Sequence, residues 1–287
     1  MITIDRLTKR FDRRAVLDEL TLAIDAGDRI ALIGSNGAGK TTLFRCLLGH
    51  YGHQGSISFA GQSGRRRAPE QLARVAFVPQ LPPPLRMPVG ELIGFAVNGA
   101  GADREAMTEI AHRLGIDLDE VRTRPFYRLS GGQKQKLLVT IALGRAVDLM
   151  IFDEPAANLD PAARAVFVDL LAERREASML IASHRLEEVA PLVNRVIELD
   201  RGRVVLDDSM VDRLQAGELR TAHIVLRQPH APFASALTAW GFTVDPTGLR
   251  FSGAVPAAET FRFLGLLARY GSLIEQLSLD ERLSEKV

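Results

Sequence analysis

Residues 34–42 read Gly-Ser-Asn-Gly-Ala-Gly-Lys-Thr-Thr and follow the apolar stretch Arg29 to Ile33. Nothing else in the chain restricts its fold as strongly. The pattern G-x-x-x-x-G-K-[ST], set between a strand and a helix, makes a phosphate-binding loop. Gly34, Gly37 and Gly39 let the backbone curl, with Ser35, Asn36 and Ala38 between them, so that successive N–H groups face one concavity. The helix opening near Lys40 adds the partial positive charge of its N-terminus at the same point. Lys40 is expected to reach the β- and γ-phosphates, and Thr41, followed by Thr42, to offer its hydroxyl to Mg²⁺.

Apolar runs and turn signals place strands near 2–7, 20–25, 29–33, 56–60, 75–78, 149–153, 178–182, 195–199 and 203–206. Helical patterns fall near 40–49, 69–74, 104–114, 131–145, 161–175 and 185–190. The class is α/β, with the later strands spaced by helices as in a parallel sheet. One of these strands, Val147 to Phe152, ends in Asp153-Glu154. Carboxylates at the end of a buried strand are costly unless a cation or a reaction uses them. Asp153 is therefore the expected Mg²⁺ partner, and Glu154 the group that polarises an attacking water.

Composition sets the outer limits. Lys and Arg number 36 against 35 for Asp and Glu, a net charge of +1, which gives no global field to gather nucleic acid. The dense basic run Arg65-Arg66-Arg67 reads as a solvated loop. The single cysteine, Cys46, reads as a small buried side chain and gives no sign of an oxidising compartment. Residues 1–6 are not expected to form a signal peptide, and no apolar run approaches the roughly 20 residues of a spanning helix. Any membrane association is expected to go through a partner.

Leu129-Ser130-Gly131-Gly132-Gln133 carries a family resemblance: it is similar to the signature motif of ABC ATPases. Ser130, Gly131, Gly132 and Gln133 open a second anion-binding helix N-terminus. The rest of the ABC pattern appears in order. Phe11 resembles the aromatic that stacks on adenine. Gln80, in Phe77-Val78-Pro79-Gln80, resembles the glutamine that touches Mg²⁺. Asp160, in Ala157-Asn158-Leu159-Asp160, resembles the aspartate that crosses the dimer interface, with Ala157 in place of the usual Ser. His184 resembles the switch histidine at the γ-phosphate. The resemblance spans residues 1 to about 206. It implies a P-loop NTPase fold of ABC type with a helical subdomain at about 81–145, ATP and Mg²⁺ as cofactors, and ATP hydrolysis. One phosphate loop and one signature per chain imply a second nucleotide-binding subunit, placed head to tail, and separate membrane permease subunits at the cytoplasmic face of the membrane.

After a polar linker at 207–219, residues 220–287 show a β-α-β-β-α-β rhythm, the order of a ferredoxin-like domain. Trp240 is expected in its core, and the apolar helix Phe261 to Leu267 is expected to pair with a second copy. This appendix, with the ending Ser278-Leu279-Asp280-Glu281-Arg282-Leu283, resembles the extensions of ABC-2 type exporter ATPases, among them the ATPase of the copper-linked nitrous-oxide-reductase maturation transporter. The competing class is a soluble assembly ATPase similar to that of iron–sulfur cluster biogenesis. The segment Leu85 to Phe95, with apolar Leu85, Met87, Val89 and Leu92, is read either as part of a groove that receives a helix of the permease or as core of the helical subdomain.

Overall fold

The computed structural model describes residues 2–12, 14–63, 68–174, 176–183, 189–209, 219–256, 260–268 and 270–281. His184, Arg65 to Arg67 and most of the helix expected at 185–190 lie outside them. The chain divides into two compact units, Met1–His184 with Val196–Asp207, and Arg185–Arg195 with Asp208–Val287.

In the first unit, β1 (Ile2–Phe11), β2 (Arg14–Ile24), β4 (Gln54–Phe59) and β5 (Gln62–Ser63) form a sheet of order β2-β1-β4-β5 with antiparallel pairing. One face is buried and the other wet, as the alternation in Ile2, Ile4, Leu20, Leu22 and Ile24 requires. Both long strands run further than sequence alternation indicates. Register shifts after Ile4 and Leu7 break the period-two pattern while leaving the strands paired.

A six-stranded sheet of order β10-β9-β3-β8-β7-β6 carries the phosphate loop. Its strands are β3 (Arg29–Ile33), β6 (Val75–Val78), β7 (Leu149–Asp153), β8 (Ser178–Ala182), β9 (Arg195–Asp200) and β10 (Arg203–Ser209). β3, β8, β7 and β6 are mutually parallel. Every residue of β7 and β8 is buried, which explains their continuous apolar runs. α1 (Lys40–Leu47) packs Leu43, Phe44, Cys46 and Leu47 into the core between the two sheets.

Residues 89–143 build a helical block from α3 (Val89–Ala100), α4 (Arg104–Arg113), α5 (Leu118–Val121) and α6 (Gly131–Leu143), after the short α2 (Pro69–Ala73). The periodicity reading had missed α3. Three glycines dilute its pattern, yet Val89, Ile93 and Ala96 lie on one face and are buried. Val89 is fully buried in the core of this block, with the half-buried Leu85 and Leu92 packed against it, so Val89 is core rather than groove. The block is tied down by Arg145, whose guanidinium donates to the carbonyls of Ala73, Val75 and Ala100 at 2.8, 3.0 and 2.9 Å. A bidentate pair between Arg113 and Glu173 joins α4 to α7 (Pro161–Glu173).

The second unit has a sheet of order β12-β13-β11-β14, with antiparallel pairing throughout. Its elements are β11 (Leu219–Leu226), α8 (Ala231–Ala239), β12 (Thr243–Val244), β13 (Arg250–Pro256), α9 (Thr260–Ala268) and β14 (Ile274–Glu281). Phe233, Phe242, Phe251 and Phe263 form its core, with Trp240 against them. Phe263 and Leu267 of α9 are buried in this core, so they are not available to pair with a second copy. Among the described residues no helix is long and apolar enough to cross a membrane.

Candidate nucleotide site

The loop between β3 and α1 is held by close backbone approaches. A Cβ on Gly34, at φ 146°, would overlap the Leu199 carbonyl. One on Gly39, at φ 113°, would lie 2.8 Å from Leu17 Cδ2 and 2.9 Å from the Val16 oxygen. Only glycine fits either place. Gly39 is also the N-cap of α1 and supplies no capping side chain, so the first amides of the helix are left for an anion.

Ser35, Asn36, Gly37, Ala38, Gly39, Lys40, Thr41 and Thr42 line a cavity of about 220 Å³ together with Val16, Gln80, Asp153 and Glu154. Four separate stretches of sequence thus converge, because β3, β7 and β6 run parallel and end at the same edge of the sheet. Lys40 is 7 % exposed, and its ammonium donates to the carbonyls of Gly34 and Ser35 at 2.5 and 3.4 Å. Burial lowers its pKa, while the charges of Glu154 and Asp153 act in the opposite direction. Asp153 closes β7 and is 2 % exposed. Glu154 sits at φ 50° and its amide donates to the Ala182 carbonyl at 3.1 Å, fixing it where β7 and β8 end. A left-handed glutamate at such a point marks a position over-determined by its surroundings.

The signature residues lie elsewhere on the same unit. Ser130 caps α6, accepting from the Gln133 amide at 3.1 Å, and the Gln133 side chain accepts from the Ser130 amide at 3.1 Å. A Cβ on Gly132 would come within 3.1 Å of the Asn158 carbonyl, which seats this helix start on the segment leading to Asp160. Asp160 caps α7 through the Ala163 amide at 2.8 Å and pairs with Lys136 of α6 at 3.1 Å. Its pKa is lowered first by the Ala163 hydrogen bond and then by Lys136. Ser130, Gly131, Gly132, Gln133 and Asp160 do not line the phosphate cavity.

Phe11 is also outside the cavity lining. It is 41 % exposed at the turn between β1 and β2, and Val16, five residues on, is the part of this hairpin that lines the cavity. Sequence reasoning missed Gly202. Its amide donates to the Ala38 carbonyl at 2.9 Å and its carbonyl accepts from Asp18 N at 3.1 Å, so the β9–β10 turn clasps the phosphate loop. The signal was the turn sequence Asp200-Arg201-Gly202 between two apolar runs.

Comparison with known proteins gives the same outline. The family model described as ABC transporter matches residues 17–157. A protein named as an ABC transporter ATP-binding protein in Streptomyces coelicolor is 33 % identical over 249 residues, 84 % of this chain and 90 % of that one. The zinc import ATP-binding protein ZnuC of Marinobacter nauticus is 33 % identical, covering 70 % of this chain and 75 % of its own. The Nod factor export ATP-binding protein I of Burkholderia thailandensis is 32 % identical, covering 72 % and 70 %. Among solved structures, an ATP-binding subunit of an ABC transporter superposes with a TM-score of 0.66 at 24 % identity, over 76 % of this chain and 93 % of that one, a likeness of fold.

Proposed function

This chain belongs to the ABC transporter family of ATP-binding proteins and is an ATPase, and from that premise we propose that two copies, placed head to tail, energise a separate membrane permease of the ABC-2 exporter type. The observation that carries the reading is the separation of two half-sites. Lys40, Thr41, Asp153 and Glu154 line one cavity, whereas Ser130 to Gln133 present their helix start elsewhere. This separation supports the reading, which the resemblance implies, that the signature closing over the γ-phosphate comes from the second copy.

In this arrangement the loop amides and Lys40 hold the phosphates, Glu154 orients and polarises the attacking water, and His184 meets the γ-phosphate. Phe11 receives the base. Thr41, Gln80 and Asp153 fit Mg²⁺: a hydroxyl, an amide and one buried carboxylate line the same cavity and supply oxygen donors. Thr41, Gln80 and Asp153 would hold Mg²⁺, which when bound would supply positive charge against the phosphates.

Residues 220–287 read as a ferredoxin-like accessory domain, supported by the strand order β12-β13-β11-β14 with two helices. Export is supported by the resemblance of the Ser278 to Leu283 segment and by the Nod factor export relative, although the relatives also include a zinc importer. The narrower resemblance, to the copper-linked maturation ATPase, belongs to this same group. The exposed apolar side chains Leu81, Phe95 and Tyr127 of the helical block are the surface offered to the permease at the cytoplasmic face of the membrane.

Affinity purification of the full chain from detergent-extracted membranes tests the reading. Wild type should retain a polytopic membrane protein, and Phe95→Glu should lose it while keeping ATP hydrolysis. Retention of a soluble scaffold instead would replace the permease with an assembly machine.

A further inference from the structure

Phe11 stands in a built cluster that the phosphate loop does not require. Its ring meets Tyr51 edge-on, with centroids 5.3 Å apart and planes at 81°. The Lys9 ammonium lies over both rings, 4.8 Å from the Phe11 centroid and 5.2 Å from that of Tyr51, and donates to the Gly52 carbonyl at 2.9 Å. Tyr51 itself is doubly tied to Arg45 in the last turn of α1. The Arg45 guanidinium donates to the Tyr51 hydroxyl at 2.6 Å and lies 5.5 Å from its ring centroid, and the Tyr51 amide donates to the Arg45 carbonyl at 3.3 Å. Tyr51 packs against the main core, whereas Phe11 stays exposed.

An exposed aromatic on a hairpin turn ordinarily samples several rotamers, and ordering it costs entropy at the moment a ligand arrives. Here the edge contact with Tyr51 and the cation of Lys9 fix the ring beforehand. The clamp also joins that turn to α1, the helix whose first turn faces the phosphate cavity.

We propose that Tyr51 is a positioning residue for the nucleobase: it holds Phe11 so that its ring is preset to stack on the base of a bound nucleotide, and Arg45 and Lys9 hold Tyr51 in turn. The inference rests on the reading of Phe11 as the base platform. The loss of a preset stacking partner acts on base affinity and leaves the phosphate contacts unchanged.

The test is steady-state ATP hydrolysis by the full chain, with inorganic tripolyphosphate as a competing probe that has no base. Tyr51→Leu should raise the KM for ATP about five- to tenfold, keep kcat within about twofold, and leave inhibition by tripolyphosphate unchanged. Tyr51→Phe keeps the edge contact and should return KM to within about twofold of wild type. Arg45→Met, which leaves the core alone, should raise KM about threefold. An unchanged KM in Tyr51→Leu, or an equal loss of tripolyphosphate inhibition, overturns the proposal. Phe11→Ala separates the two readings. If it leaves KM at the wild-type value, the base platform is elsewhere; if it raises KM and Tyr51→Leu does not, only the positioning role falls.

Discussion

The amide of Gly202 donates to the carbonyl of Ala38 at 2.9 Å, so the phosphate loop is braced by a turn more than 160 positions along the chain. The brace needs a glycine: at φ 79° an added Cβ would run into the Val16 carbonyl and lie 2.8 Å from Leu17 Cα. Gly202→Ala should therefore cost about 3 kcal/mol, from strain plus a backbone overlap that cannot relax by side-chain rotation, and should raise the KM for ATP. Gly27→Ala is the control, because Gly27 has φ 85° but nothing within 4 Å of an added Cβ. Its cost should be about 1 kcal/mol, with KM unchanged. Denaturant midpoints and ATP titrations measure both; equal costs at the two sites would refute the brace.

Glu154→Gln keeps size and hydrogen-bonding reach but removes charge and basicity. It should bind ATP and lose about 10²-fold or more in kcat. If two copies share each nucleotide, bound ATP then stabilises the pair by about 2.7 kcal/mol per site at a hundredfold excess over Kd. Size-exclusion chromatography with Mg-ATP should show a Glu154→Gln dimer and a Lys40→Ala monomer. The reverse pattern would overturn the roles of both residues.

Asp160 provides a pH signature. Its pKa in the fold lies below the ordinary 3.8 because it accepts from the Ala163 amide and pairs with Lys136. The unfolded chain therefore takes up the proton first as pH falls, and the stabilisation is present above 3.8 and disappears as pH drops through the folded value. The Tm of wild type should exceed that of Asp160→Asn by a constant margin above about pH 5, and the two should converge in stronger acid. A margin that survives undiminished to the acid limit would mean that the charge of Asp160 is not its source.

Phe263 is fully buried, with its ring 5.1 Å from that of Phe242 and 5.3 Å from that of Trp240. Phe263→Ala should cost the second unit about 3–5 kcal/mol. Trp240 is the single tryptophan, so selectively excited tryptophan fluorescence follows this unit alone. The fluorescence midpoint should fall while ATP binding persists. Loss of ATP binding in step with the fluorescence change would show that the nucleotide site depends on this core.

What the sequence determined by itself is what short-range chemistry encodes. Gly34 to Thr42 had to be a turn from strand to helix, and the continuous apolar runs of β7 and β8 had to be strands buried on both faces. Ser130 and Gln133, three apart, already contained their reciprocal cap. Tertiary structure decided what depends on partners distant in the chain. α3 exists despite Gly90, Gly94 and Gly99 because Val89, Ile93 and Ala96 have a core to enter, and the same burial takes Val89 out of any groove. Phe263 faces inward because Phe242, just before β12, and Phe251, on β13, supply a core for it to enter. The brace from Gly202 to Ala38 and the clamp from Arg45 through Tyr51 to Phe11 leave no periodic trace. A hydrogen bond or ring contact between distant segments constrains single residues, whereas a sequence pattern records only what repeats along one element.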